Sequence, residues 1–177
     1  MVKDHSKTGD STLLQRCNFG STALTENRII LAGGVKNTEL GKKTKPQTLS
    51  IHEMVDLTLK EKETGEIVAE IKKIVVEMSP QLFNSFSMSS KEEHIHMFGG
   101  KQGAKKEPNG HIYFLNIVAK QLEKVKPPTF LSEKTKVWGS SSAWISHATL
   151  MLMGGSLPPP GHGERSIFMY SSKPMDI

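Results

Sequence analysis

The chain has 177 residues, 36% of them apolar, and a formal net charge of +5, enough for one ordinary domain with a core and mildly basic. No apolar run is long enough to read as a membrane-spanning helix, and no apolar stretch follows Met1-Val2-Lys3-Asp4-His5 to form a secretory signal, so an intracellular setting is expected. Cys17 is the single cysteine, which excludes an internal disulfide and a multi-cysteine zinc site and reads as a small core residue.

Residues 1–15 are polar and aperiodic and read as a flexible arm. From Arg16 a pattern begins that recurs three times, over approximately 16–78, 79–130 and 131–177. Each time a short apolar strand runs into two glycines, at Gly33-Gly34, Gly99-Gly100 and Gly154-Gly155, where the backbone can take positive φ and leave a sheet. In the first repeat a strand holding Phe19 to Leu24 precedes a turn at Glu26-Asn27. Twelve residues before the first glycine of each pair stands a serine, Ser21, Ser87 or Ser142, which predicts equal strand and turn lengths in all three.

The first repeat then has a long loop, Val35 to Thr48, a third strand at about Leu49 to Asp56 and a polar turn from Glu61 to Gly65. Residues 66–78 suit a helix, with Ile67, Ile71, Ile74 and Met78 on one side. Their β-branched content and their place in the pattern favour a strand. In the second and third repeats the aromatic-rich runs Ile112-Tyr113-Phe114-Leu115 and Ile167-Phe168-Met169-Tyr170 start at the same distance beyond the glycines and read as third strands. Gln121 to Val125 follows as a fourth.

No catalytic constellation emerges. His94 and His96 share one side of a strand, but no Glu, Asp or Cys completes a ligand set, so they read as strand histidines. Ser142 with His147 lacks a matching carboxylate and reads as scaffold. The glycine pairs fit neither a dinucleotide nor a P-loop pattern and read as structural. No cofactor or metal is expected, and the chain is not expected to be an enzyme. Charge is more informative. The first loop carries Lys36, Lys42, Lys43 and Lys45 against Glu39, and the second, Lys101 to Gly110, carries Lys101, Lys105 and Lys106 against Glu107. Their combined excess equals the net charge of the chain, a distribution that suits contact with a DNA phosphate backbone as well as it suits ordinary solubilising lysines.

The glycine-pair strands resemble kelch repeats. Ile112 to Lys120, the Val55-Asp56-Leu57 step and Lys136-Val137-Trp138-Gly139-Ser140 are similar to the divergent kelch propeller of the non-catalytic subunit of the RAG recombinase and its transposon relatives. The resemblance implies an all-β, kelch-like β-propeller segment of about three four-stranded blades, half of a six-bladed ring. It implies a nuclear, non-catalytic accessory subunit that binds a catalytic recombinase or transposase subunit and assists its hold on DNA. A second copy or missing blades would complete the ring. The alternative is a kelch-type adaptor that recruits proteins, for example for ubiquitination.

Overall fold

The computed structural model describes residues 11–36, 47–51, 53–76, 83–92, 94–103, 107–125, 139–146, 149–155 and 167–171. Apart from a short 3-10 turn at Ser11–Leu14, every regular element among them is a strand. The chain pairs β1 (Gly20–Thr25) with β2 (Arg28–Ala32) and leaves through Gly33 and Gly34 into a small ribbon, β3 (Val35–Lys36) and β4 (Gln47–Thr48). It returns as a long hairpin, β5 (Glu53–Glu61) and β6 (Ile67–Val75), which completes a four-stranded antiparallel sheet in the order β1-β2-β5-β6. The second sheet joins β7 (Phe83–Lys91), β8 (His94–Gln102), β10 (Ile112–Asn116) and β11 (Gln121–Val125), with the short β9 (Glu107–Pro108) against the end of β8. The third holds β12 (Ser141–Trp144), β13 (Thr149–Met153) and β14 (Ile167–Ser171).

Among the described residues these are four separate open sheets, and none closes into a ring. The all-β class stands, but the kelch-like propeller segment and the half-ring are corrected. The physical reason is the short range of the repeated signal. An apolar strand ending in two glycines specifies a hairpin and a left-handed exit, and the chain does different things after it. Beyond Gly34 it enters a separate ribbon, whereas β8 runs on through Gly99 and Gly100 to Gln102 and pairs there with β9. The sheets consequently differ in size, with four, five, three and two strands.

The β5–β6 segment settles the helix-or-strand ambiguity over Ile67–Val75 in favour of a strand, while Glu77 and Met78 lie outside the described residues. Ile67–Val75 pairs along its full length, from Glu61↔Ile67 to Glu53↔Val75. A cross-strand ion pair supports it, Lys60 Nζ of β5 lying 2.7 Å from the Glu70 carboxylate of β6, which Lys72 Nζ of the same strand also approaches at 2.7 Å. The third strand of the first repeat starts at Glu53, later than Leu49. Leu49 is occupied in a crossing, where its N–H donates to Gly34 O at 2.8 Å and its carbonyl accepts from Phe83 N–H at 3.2 Å.

The second sheet is buried on both sides, which accounts for the nearly continuous apolar runs in β8 and β10. Alternation sends Met97, Tyr113 and Leu115 toward the first sheet, where they join Ile30, Ala32, Met54, Phe86 and Met88 in the main core. The Phe83 ring lies edge-on to Tyr113 at 5.1 Å and to Phe86 at 6.1 Å. Phe98 and Ile112 face the other way and form a smaller cluster with Leu150 of the third sheet.

Candidate functional site

Strands β1, β7 and β12 lie side by side, and each is preceded or interrupted near its start by a left-handed residue. These are Asn18 (φ 53°), Ser85 (φ 55°) and Gly139 (φ 71°). Glycine and asparagine tolerate this region, whereas serine adopts it at a cost of about 1–3 kcal/mol unless its surroundings hold it. Hydrogen bonds hold it here. Ser85 N–H donates to Asn18 O, and Gly139 N–H donates to Ser85 O, both at 2.7 Å. One row of backbone bonds therefore ties the heads of three strands that belong to three different sheets.

The three residues after each left-handed position line a cleft of about 200 Å³: Phe19-Gly20-Ser21, Phe86-Ser87-Met88 and Ser140-Ser141-Ser142. The triplets are equivalent by register, since Gly20, Ser87 and Ser141 each pair with the residue just before a glycine pair. The serine alignment expected from counting is thereby corrected. Ser21 and Ser142 occupy the third position of their triplets and Ser87 the second. A register shift between Ala23 and Thr25 adds one residue to the first repeat, and the turn joining Trp144 to Leu150 is longer than the one joining Lys91 to His94. Gly20 stands in the serine position of β1 because nothing larger fits. A Cβ there would lie 2.5 Å from the Phe86 ring and 2.6 Å from Met88 Sδ.

Beneath the cleft the second and third sheets meet in a seam. Pairing and alternation put Ser87, Ser89 and Lys91 of β7, His96 and Phe98 of β8, and Phe114 of β10 on one side. Ser142 and Trp144 of β12 face them together with Leu150 and Leu152 of β13. The His96 ring centroid is 4.9 Å from Trp144 and 4.7 Å from Phe114, edge to face in both cases, and stacks on Phe98 at 6.5 Å. Lys91 Nζ sits 5.0 Å above the Trp144 ring at the rim. Burial pushes the His96 imidazolium pKa down to about 4, with the charges of His94 and Lys91 acting in the same direction.

The seam concentrates unsatisfied polarity. Seven buried side-chain N or O atoms among the described residues have no hydrogen-bond partner in the protein. Five of them lie here: Ser87 Oγ, Ser89 Oγ, His96 Nδ1, Ser142 Oγ and Trp144 Nε1. Ser87 and Ser89 are only 4% exposed. Each such atom costs about 1–3 kcal/mol, and folded proteins leave few of them. Five of the seven thus fall in this one interface, the densest concentration of such atoms among the described residues.

No protein-family model matches the sequence, and no curated protein matches it. With no closed ring among the described residues and no matching family model or curated protein, both the RAG-like accessory role and the kelch-adaptor role lose their basis.

The residues singled out from the sequence fall unevenly around this site. Gly33, Gly34, Gly99, Gly100, Gly154 and Gly155 all have positive φ, at the same end of the sheets as the cleft. Lys36 and Lys101 follow the first two pairs, in β3 and β8. Lys42, Lys43, Lys45, Lys105 and Lys106 lie outside the described residues, as does His147. Cys17, expected in the core, is exposed, and its backbone pairs with Val35. His94 is exposed, with its Nε2 3.4 Å from Asn116 Nδ2, and no group of three or more potential metal ligands occurs among the described residues. Sequence reasoning missed Ser89 and Trp144. A signal for Ser89 was present, because Ser87 and Ser89 alternate with the apolar Phe86 and Met88 along β7.

Proposed function

We propose that the chain is a recognition module that binds a polar ligand in the cleft at the heads of β1, β7 and β12. The observation that carries it is the pair of buried, unpartnered hydroxyls of Ser87 and Ser142 in the wall of that cleft. Binding is favoured over acyl-transfer catalysis by the state of the hydroxyls. Ser89 sits directly across from His96, yet neither Ser89 Oγ nor His96 Nδ1 has a partner, so the two do not form a nucleophile–base pair. At about 200 Å³ the cleft is below the roughly 300–1,000 Å³ typical of sites for drug-sized molecules, and it suits one small polar group.

Two-dimensional amide NMR with a library of small neutral, anionic and cationic fragments tests the reading. Saturable shifts are expected at Gly20, Ser21, Ser87, Ser141 and Ser142, and their loss in the Ser87→Ala/Ser142→Ala double variant. Fragments that shift only residues remote from the cleft, or none that saturate, would refute it.

A further inference from the structure

The joint between the first and second sheets and the joint between the second and third share one backbone bond, and its parts stand unused at both ends of the row. By register Asn18, Ser85 and Gly139 each lie opposite the second glycine of a pair, so the next residues, Phe19 and Phe86, are counterparts. Their surroundings agree. A Cβ at Gly34 would lie 2.8 Å from Phe19 Cβ and from Cys17 O, and one at Gly100 would lie 2.6 Å from Phe86 Cβ and 2.8 Å from Asn84 O. At the first joint the second sheet reaches back: Ser85 N–H donates to Asn18 O, and Phe86 Cε1 lies 2.8 Å from the place a Cβ of Gly33 would take. Gly139 N–H repeats the bond to Ser85 O at the second joint. The residues before the first two glycine pairs, Ala32 and Phe98, are buried by the sheet that follows.

At the two ends the same fittings are open. Phe19 is 36% exposed, against 5% for Phe86. No other atom lies within 4 Å of the place a Cβ of Gly154 would take, and Met153 before it is 41% exposed. Among the described residues, Asn18 N–H and Gly139 O make no hydrogen bond. Alternation puts exposed Ala23, Ile67 and Val75 on the side of the first sheet that bears Phe19. It puts exposed Ala143 on the side of the third sheet that bears Met153, with Ile145 just beyond. Five of the seven exposed large apolar side chains among the described residues thus lie at the two end faces.

We propose that a second copy of the chain docks head to tail, its first sheet against the outer face of the third. Its Asn18 N–H donates to Gly139 O, its Phe19 covers Gly154, and Met153 and Ile145 become buried beneath it. Continuity with the internal joints names the occupant. The incoming face must offer a left-handed residue with an N–H to give, followed by an aromatic ring, and the first sheet of this chain offers both. Each later sheet donates to the one before it, so the contact joins unlike faces. A twofold contact between like faces would set donor against donor or acceptor against acceptor in the row.

Analytical ultracentrifugation of the full chain from ~1 µM to ~1 mM tests this, and the weight-average mass should climb above that of one chain as concentration rises. Phe19→Glu blocks one end and Met153→Glu the other, both at exposed positions, and each alone should weaken association by about ten-fold or more. Mixed in equal amounts, the two variants should form a dimer and nothing larger, because each keeps the end that the other has lost. Ala23→Glu and Ile145→Glu form a second pair for use where a first variant loses the amide spectrum of the folded chain. A wild type that stays a single chain throughout would overturn the inference and leave the end faces to a different partner or to solvent. Association that the variants leave unchanged would also overturn it, by placing the contact elsewhere, and so would a mixture that associates no better than either variant alone. Ser87→Ala/Ser142→Ala, which tests the cleft, should not alter the mass, so this inference and the recognition role fail separately.

Discussion

Acid should weaken the junction of the second and third sheets through a single side chain. His96 is held neutral in the fold, its pKa lowered from 6.5 to about 4 chiefly by burial, while in the unfolded chain it titrates near its ordinary value. As pH falls below 6.5 the unfolded state takes up a proton that the folded state refuses, so stability declines until the pH reaches about 4. A gap of roughly 2.5 pH units corresponds to about 3 kcal/mol, most of it spent between pH 7 and 4.5. Against a typical domain stability of about 5–15 kcal/mol this is a large share. Urea unfolding of the wild type and of His96→Gln, each at intervals from pH 7.5 to 4.5, isolates it. The variant keeps every other titrating group but lacks this one, so its stability should fall by about 2.5 kcal/mol less than that of the wild type over that range. Parallel curves would refute the account, whatever the variant costs at neutral pH, because only the slope reports the proton.

Tyr113→Phe removes a buried hydroxyl with no partner in the protein, so the urea midpoint should stay or rise; a loss above about 1 kcal/mol would show a hidden partner. Gly33→Ala places a methyl group 2.6 Å from the Phe83 carbonyl oxygen at φ +57°, and a loss of several kcal/mol is expected by the same assay, about 1–2 from the backbone and the rest from displacing β7. Asp56 is 8% exposed and accepts from Arg28 Nε at 3.0 Å and from Arg28 NH2 at 2.8 Å. Asp56→Asn should cost about 1–3 kcal/mol in thermal or urea unfolding, and a cost near zero would mean that water already screens the pair.

Much of the strand pattern was legible because its causes are local. Gln121 to Val125, Ile112 to Leu115 and the turn at Glu26-Asn27 fall where alternation and turn residues put them. What was not legible depends on contacts between sheets. The same glycine pair launches a ribbon after Ala32 and lets β8 continue after Phe98, and no count along the chain tells these apart. Counting also misaligned Ser87, because a bulge near Leu24 and a longer turn after Trp144 each shift the register by one residue without changing the composition. The seam was hidden for a related reason. His96 and Trp144 are 48 positions apart in sequence and meet only because β8 and β12 present matching sides to each other.

The two cores are unequal, and that inequality sets an order of events. Among the described residues, twelve buried ones weld the first and second sheets, whereas three hold the third against the second, helped by the head bond from Gly139 to Ser85. Amide hydrogens of β12 and β13 should therefore exchange with solvent well before those of β7 and β8, through an opening that detaches the third sheet while the rest stays folded. Because the seam lies along that line of parting, anything that occupies it would slow the exchange of β12 and β13 first, and the molecule would report occupancy as a change in which part of it breathes.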